Sequence, residues 1–213
     1  SHLGPEMVTE ALAYYSKGVK PHFISNIDPD FTSKLLKDLN PETTLFIIVS
    51  KTFTTIETLE NANKVRAWFI DNASEIAIKD HFIAISNNTE DPKKFGVSLD
   101  NILSIPDWVG GRFSLWGSVG LIISIVIGSE SFKDFLKGAQ EMDIHFRNSP
   151  FEKNIPVVLA LVSIWYNNFF KCETEVVLPY SQFLRKLPNY LQQASMESNG
   201  KSVDRSGKKV NYE

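Results

Sequence analysis

Six residues, SKTFTT at positions 50–55, carry four side-chain hydroxyls and one lysine: Ser50, Lys51, Thr52, Thr54 and Thr55. Hydroxyls donate to anionic oxygens and an ammonium supplies a full positive charge, so the set suits a phosphate or a sugar phosphate. Helix capping is the alternative reading, but one cap needs only one hydroxyl. A second group lies in DWVGGRFS, residues 107–114, where Arg112 follows Gly110 and Gly111 directly. A guanidinium on a glycine-hinged loop can reach an anion or a developing oxyanion. A surface loop with a structural salt bridge accounts for the same shape. The four histidines, His2, His22, His81 and His145, show no metal-ligand spacing, so no metal is expected. Neither a Walker loop, a GxGxxG fingerprint nor a nucleophile elbow is present, and no cofactor is expected.

The elements around the hydroxyl cluster explain how it would be held. Residues 45–49 are five consecutive apolar residues, the pattern of a strand buried on both faces. Helical spacing begins at Ile56, with Leu59, Val65 and Phe69 apolar and Glu57, Glu60, Lys64 and Arg66 between them. A strand, a hydroxyl-rich turn and a helix N-terminus together make an anion cradle, because the first helical amides lack partners and the dipole favours negative charge. Further strands are expected at 22–26 and 81–86, and extended segments at 95–100, 102–105 and 176–179. Helices are expected at 6–16 behind Pro5, from an Asp28 cap through Leu39, at 115–127, from Phe132 to Phe146, and at 182–193 with Pro188 as a kink. Residues 155–170 are so apolar that they are expected to cross the core, with part of that apolar surface, and of the helix after Pro179, exposed where the chain is cut from a longer one. The alternation implies parallel strands, hence an α/β fold with a doubly wound parallel sheet flanked by helices. Ligands of such sheets gather at the carboxyl ends of the strands, where 50–55 falls.

Composition narrows the class. The chain has 213 residues, 43% hydrophobic and 22% charged, as expected of a soluble globular protein with ample core. Its formal charge of −3, without a long basic run, argues against nucleic acid as a partner. The longest apolar stretch, 115–128, is interrupted by glycine and serine, which argues against a membrane span. The lone Cys172 excludes an internal disulfide, fits a reducing compartment, and reads as a small core residue beside Phe169 and Phe170. No signal-peptide pattern opens the chain, and both ends read as cuts within a longer one. Residues 1–128 are expected to form the sugar-phosphate-binding core and 129–213 a mainly helical continuation packed on the same domain.

The two chemical groups, taken with their neighbours, resemble the glucose-6-phosphate isomerase (phosphoglucose isomerase) family over essentially the whole chain. DWVGGRFSLWGSVG, residues 107–120, fits the family's first signature at all fourteen positions. SKTFTT matches its sugar-phosphate segment. FEKN (151–154), CET (172–174), LPY (178–180) and MESNGK (196–201) follow in the family's order, and SHLGP (1–5) is similar to the tail of its Gly-Gly-Ser-x-Leu-Gly-Pro loop.

The resemblance implies a sugar-isomerase, flavodoxin-like three-layer sandwich. It implies that Ser1, Ser50, Lys51, Thr52 and Thr55 hold the substrate phosphate, and that Gly111 lines the reacting end with Arg112, the catalytic residue that stabilises an enediolate. The implied reaction interconverts glucose 6-phosphate and fructose 6-phosphate in glycolysis and gluconeogenesis, in a cytoplasmic homodimer. The family's glutamate base lies in a Gly-Glu-x-Gly-Thr-Asn-Gly-Gln-His run that would begin after Glu213, so these 213 residues alone are expected to be inactive. Glu213 aligns with a substrate-binding glutamine; its carboxylate, when ionised, accepts but cannot donate, a departure at a contact position. A phosphosugar-sensing module of the same class is the alternative, and Arg112 separates the two, because a sensor has no need to stabilise an enediolate.

Overall fold

The structure, a computed structural model, describes residues 2–210. Helix α1 (Leu3–Ala11) leads through a coil to α2 (Pro29–Lys37), whose cap is Asp28, accepting from the Asp30 amide at 2.9 Å. Strand β1 (Phe46–Val49), α3 (Ile56–Asn72), the short α4 (Ile78–His81), β2 (Phe82–Ile85), α5 (Glu90–Phe95) and β3 (Ile102–Leu103) complete the sheet layer. The strands pair in parallel in the order β1–β2–β3, with Phe46 opposite Phe82 and Ile85 opposite Leu103.

Strict alternation sends the strand side chains to two cores. Ile48, Phe82 and Ala84 join Phe53, Val65, Phe69 and Val97 beneath α3 and α5. Ile47, Val49, Ile83 and Ile85 face Ile105, Val119 and Leu121 on the other side. The period of two therefore buries both faces, which is why β1 and β2 read as unbroken apolar runs.

A third core joins α1 to the chain beyond the sheet. Met7 and Val8 pack on Leu115, Ile123, Val126 and Ile127, flanked by Phe132, Phe135, Leu187 and Tyr190. This region contains α6 (Leu121–Ile127), α7 (Ser129–Asn148), α8 (Ile155–Phe170) and α9 (Leu187–Leu191). Close approach requires glycine here: a Cβ on Gly120 would stand 2.3 Å from the Leu115 carbonyl oxygen, and one on Gly4 2.8 Å from Leu115 Cδ2.

Several expectations need correction. Residues 22–26 and 176–179 are irregular, because a strand needs a hydrogen-bonded neighbour and neither segment has one. Residues 95–100 are no extended segment: Gly96 (φ 111) ends α5 in the left-handed conformation, with Val97 N bonding back to Pro92 O, and a 3-10 turn follows. The expected helix at 115–127 is two 3-10 turns before the shorter α6, and Pro188 lies in the first turn of α9, where its missing N–H costs nothing. Cys172 is exposed. Most notably, α8 crosses no core. It is apolar all round, yet Leu159 is 61% exposed, Trp165 56% and Phe169 69%. Among the described residues, no helix is long and apolar enough to cross a membrane.

Candidate functional site

The three strands end together, and the site is built on those ends. Ser50 continues the β1 ladder by donating its amide to Ile85 O at 3.1 Å, and the residue is 5% exposed. The chain then turns sharply through Phe53, whose φ of 56° lies in the left-handed region that a bulky residue avoids. Such a conformation costs about 1–3 kcal/mol and persists only where packing enforces it. Here the enforcing contact is the ring itself, 3% exposed and set edge-on to Phe95 at 6.1 Å. With Phe53 turned into the core, Thr52, Thr54 and Thr55 are left on the surface.

Thr55 stands at the N-cap position of α3, yet its side chain makes no capping bond. The first helical bond runs from Leu59 N to Thr55 O, so the amides of 56–58 have no helical acceptor. The hydroxyls bond to each other instead: Ser50 Oγ donates to Thr55 Oγ1 at 3.3 Å, and Thr52 Oγ1 lies 2.6 Å from Thr54 Oγ1. The side chain at the N-cap position of α3 therefore makes no cap. Amides without helical acceptors at the start of a seventeen-residue helix, ringed by hydroxyls, favour an anion.

Lys51 does not point freely over this turn. Its Nζ donates to Asp107 O at 2.8 Å, with Asp107 Oδ1 at 3.8 Å. It thereby spans from the cradle to the start of the Gly110–Gly111–Arg112 loop. Asn87, two residues beyond the end of β2, ties the same pieces together. Its amide donates to Lys51 O (2.8 Å), its Oδ1 accepts from Ile105 N (2.7 Å), and its Nδ2 donates to Asp107 Oδ1 (2.8 Å). Asn88 adds a bond to Thr52 O at 3.2 Å and caps α5 by accepting from the amides of Glu90 and Asp91.

Arg112 lies on a 3-10 turn, Gly111–Trp116, with its guanidinium carbon 4.6 Å from the Phe113 ring centroid. Among the described residues it pairs with no carboxylate, and its Nε is buried without a hydrogen-bond partner. The structural salt bridge is absent, and an orphaned buried donor of this kind calls for an acceptor. The glycines before it do not work as expected: neither adopts a left-handed φ. A Cβ on Gly111 would meet nothing within 4 Å, so the side chain's absence keeps space open beside Arg112.

The histidines have other tasks. His81 Nδ1 is 2.8 Å from Thr44 O, and His145 Nε2 accepts from Ile155 N at 3.0 Å, at the start of α8. No metal-binding cluster occurs among the described residues. Ser1 and Glu213, both expected at the site, lie outside the described residues.

Sequence reasoning missed Asn87 and Tyr190, which donates its hydroxyl to Arg112 O at 2.8 Å. Asn87 had a signal, a polar pair closing a buried strand at its carboxyl end. Tyr190 had none, being seventy-eight residues from its partner.

The chain is similar to known proteins over its whole length. The family model described as Phosphoglucose isomerase matches residues 1–213. A glucose-6-phosphate isomerase from Christiangramia forsetii is 60% identical over 213 residues, which are 100% of this chain and 39% of that protein. The crystal structure of a glucose-6-phosphate isomerase from Chlamydia trachomatis superposes with a TM-score of 0.84 at 32% identity, covering 99% of this chain and 41% of that one. A hypothetical protein from Thermus thermophilus gives a TM-score of 0.80 at 28% identity, over 99% and 49% of the two chains. The chain thus spans less than half the length of these relatives.

Proposed function

From the premise that the chain belongs to the phosphoglucose isomerase family, we propose that it is the phosphosugar-binding part of an aldose–ketose isomerase acting on glucose 6-phosphate and fructose 6-phosphate. In this reading the 6-phosphate occupies the turn 50–55, received by the Ser50, Thr52 and Thr55 hydroxyls, the free amides opening α3 and the Lys51 ammonium. By the resemblance, Ser1 joins the phosphate contacts and Glu213 falls at a sugar-contact position where the family has glutamine. Gly111 leaves room for the sugar, and Arg112 meets the reacting end.

Isomerisation removes a proton beside a carbonyl and leaves negative charge on the C1 and C2 oxygens. A fixed cation there lowers the barrier because it binds the enediolate more strongly than the neutral sugar. The carrying observation is the buried Nε of Arg112, which has no hydrogen-bond partner among the described residues and so favours an acceptor such as the developing charge. A phosphosugar sensor would need the cradle but not this group. The base that moves the proton is, by the resemblance, a glutamate following residue 213. The same reading makes the full-length protein a cytoplasmic homodimer of glycolysis and gluconeogenesis, without metal or cofactor.

Titration of the full-length protein with glucose 6-phosphate tests the cradle. Lys51→Ala is expected to weaken binding by about 1.5–3 kcal/mol, the worth of a charge-assisted hydrogen bond. Unchanged affinity would remove Lys51 from the phosphate site.

A further inference from the structure

We propose that Tyr190 is a positioning residue for Arg112, fixing the turn that carries the guanidinium. The inference rests on the catalytic role given to Arg112 above. Three observations carry it.

The first is the hydrogen bond from the Tyr190 hydroxyl to the Arg112 backbone carbonyl, 2.8 Å long and partly buried. The turn Gly111–Trp116 is 3-10 in form, with poorer internal bonds than an α-helix, and it needs an outside tether to hold one geometry. The bond is made to the backbone of Arg112, so it fixes the residue's Cα without consuming the guanidinium donors.

The second is the anchoring of Tyr190 itself. Its ring packs in the core of Met7, Val8, Leu115 and Ile123. A Cβ on Gly4 would approach Tyr190 Cε2 to 3.4 Å, so α1 lies directly against the ring. The start of α9 is pinned to α1 by charge: Lys186 pairs with Glu6 and, at 3.6 Å, with Glu10, while Arg185 pairs with Glu10. The tyrosine therefore projects from a short helix that cannot drift away from the site.

The third is that the phenol stays a donor. Burial pushes its pKa above the ordinary value, opposed only in part by the nearby Arg112 charge. The hydroxyl keeps its proton throughout the range in which the enzyme would work.

The test is a double-mutant cycle on the full-length protein. Tyr190→Phe keeps the ring and removes one oxygen; it is expected to lower kcat about five- to tenfold, the order of one hydrogen bond, with KM changed less than about twofold. In an Arg112→Ala background the same substitution is expected to cost nothing further. Lys186→Gln loosens α9 without touching the phenol, and is expected to lower kcat by a smaller factor, again only when Arg112 is present. An equal loss in both backgrounds would make Tyr190 merely structural and overturn the proposal, as would unchanged kcat in Tyr190→Phe. Full turnover in Arg112→Ala alone would overturn the role of Arg112 and this inference with it; a large loss there beside a neutral Tyr190→Phe would overturn only the inference.

Discussion

The two ends of the proposed site are built in opposite ways. The cradle is contiguous: a strand, six residues of turn and a helix N-terminus supply its hydroxyls and amides, and its one strained residue is clamped by its own ring. The Arg112 end is assembled from afar. Lys51 and Asn87 hold its entrance through Asp107, and Tyr190 holds its exit through the Arg112 carbonyl. Groups that grip a fixed, formal charge can be local, because helix ends and hydroxyls provide the field wherever they occur. A group that must meet charge only as it develops needs a defined position, and that position comes from packing several elements together.

The contrast can be broken in order of size. On the proposed function, Arg112→Ala should lower kcat of the full-length protein by about 10²–10³, the usual loss for a donor aimed at developing charge, with much less effect on substrate affinity. Equal losses in both would place Arg112 in simple binding. Asn87→Ala removes two side-chain bonds, each contributing about 0.5–1.5 kcal/mol, and denaturant melts should show a loss of that order. If the two ends are separable, this variant lowers turnover more than phosphate affinity.

The smallest effect concerns the far support of Tyr190. The hydrogen bond from Arg185 holds the Glu10 carboxyl below its ordinary pKa, helped by the charges of Arg185 and Lys186 against a smaller opposing burial. A depressed carboxylate contributes stability that is present above its unfolded pKa and is lost as pH falls through the folded value. Melting temperature should therefore decline on acidification below about pH 4.5, its unfolded value, and Glu10→Gln should flatten that decline. Because the pair is exposed, the change is slight and shrinks with added salt.

What could be read from sequence follows the same division. The cradle was legible because its parts are adjacent: five apolar residues, a hydroxyl cluster and a helical stripe occur in that order. The parallel sheet was legible from the runs at 46–49 and 82–85, whose two-sided burial leaves no polar face. Residues 22–26 and 176–179 were misread because a short stretch with apolar residues such as Phe23, Ile24, Val176 and Val177 can suit a strand without having an edge to pair with. Asn87 could be placed at a strand end but its bonds to Ile105 and Asp107, eighteen and twenty residues away, could not be read, and Tyr190 was invisible because its partner lies seventy-eight residues away. Helix α8 shows the limit most plainly, since apolar periodicity establishes that a helix forms but not what covers it.

That bare helix has a calorimetric consequence. Unfolding raises heat capacity in proportion to the apolar surface newly wetted, ordinarily about 12–15 cal/mol/K per residue. Much of the surface of α8 is already wet in this fold, with Leu159, Leu161, Trp165 and Phe169 each more than half exposed. These side chains add little to the heat-capacity change or to the denaturant slope. For these 213 residues taken alone, the stability curve is accordingly flatter in temperature than their number implies.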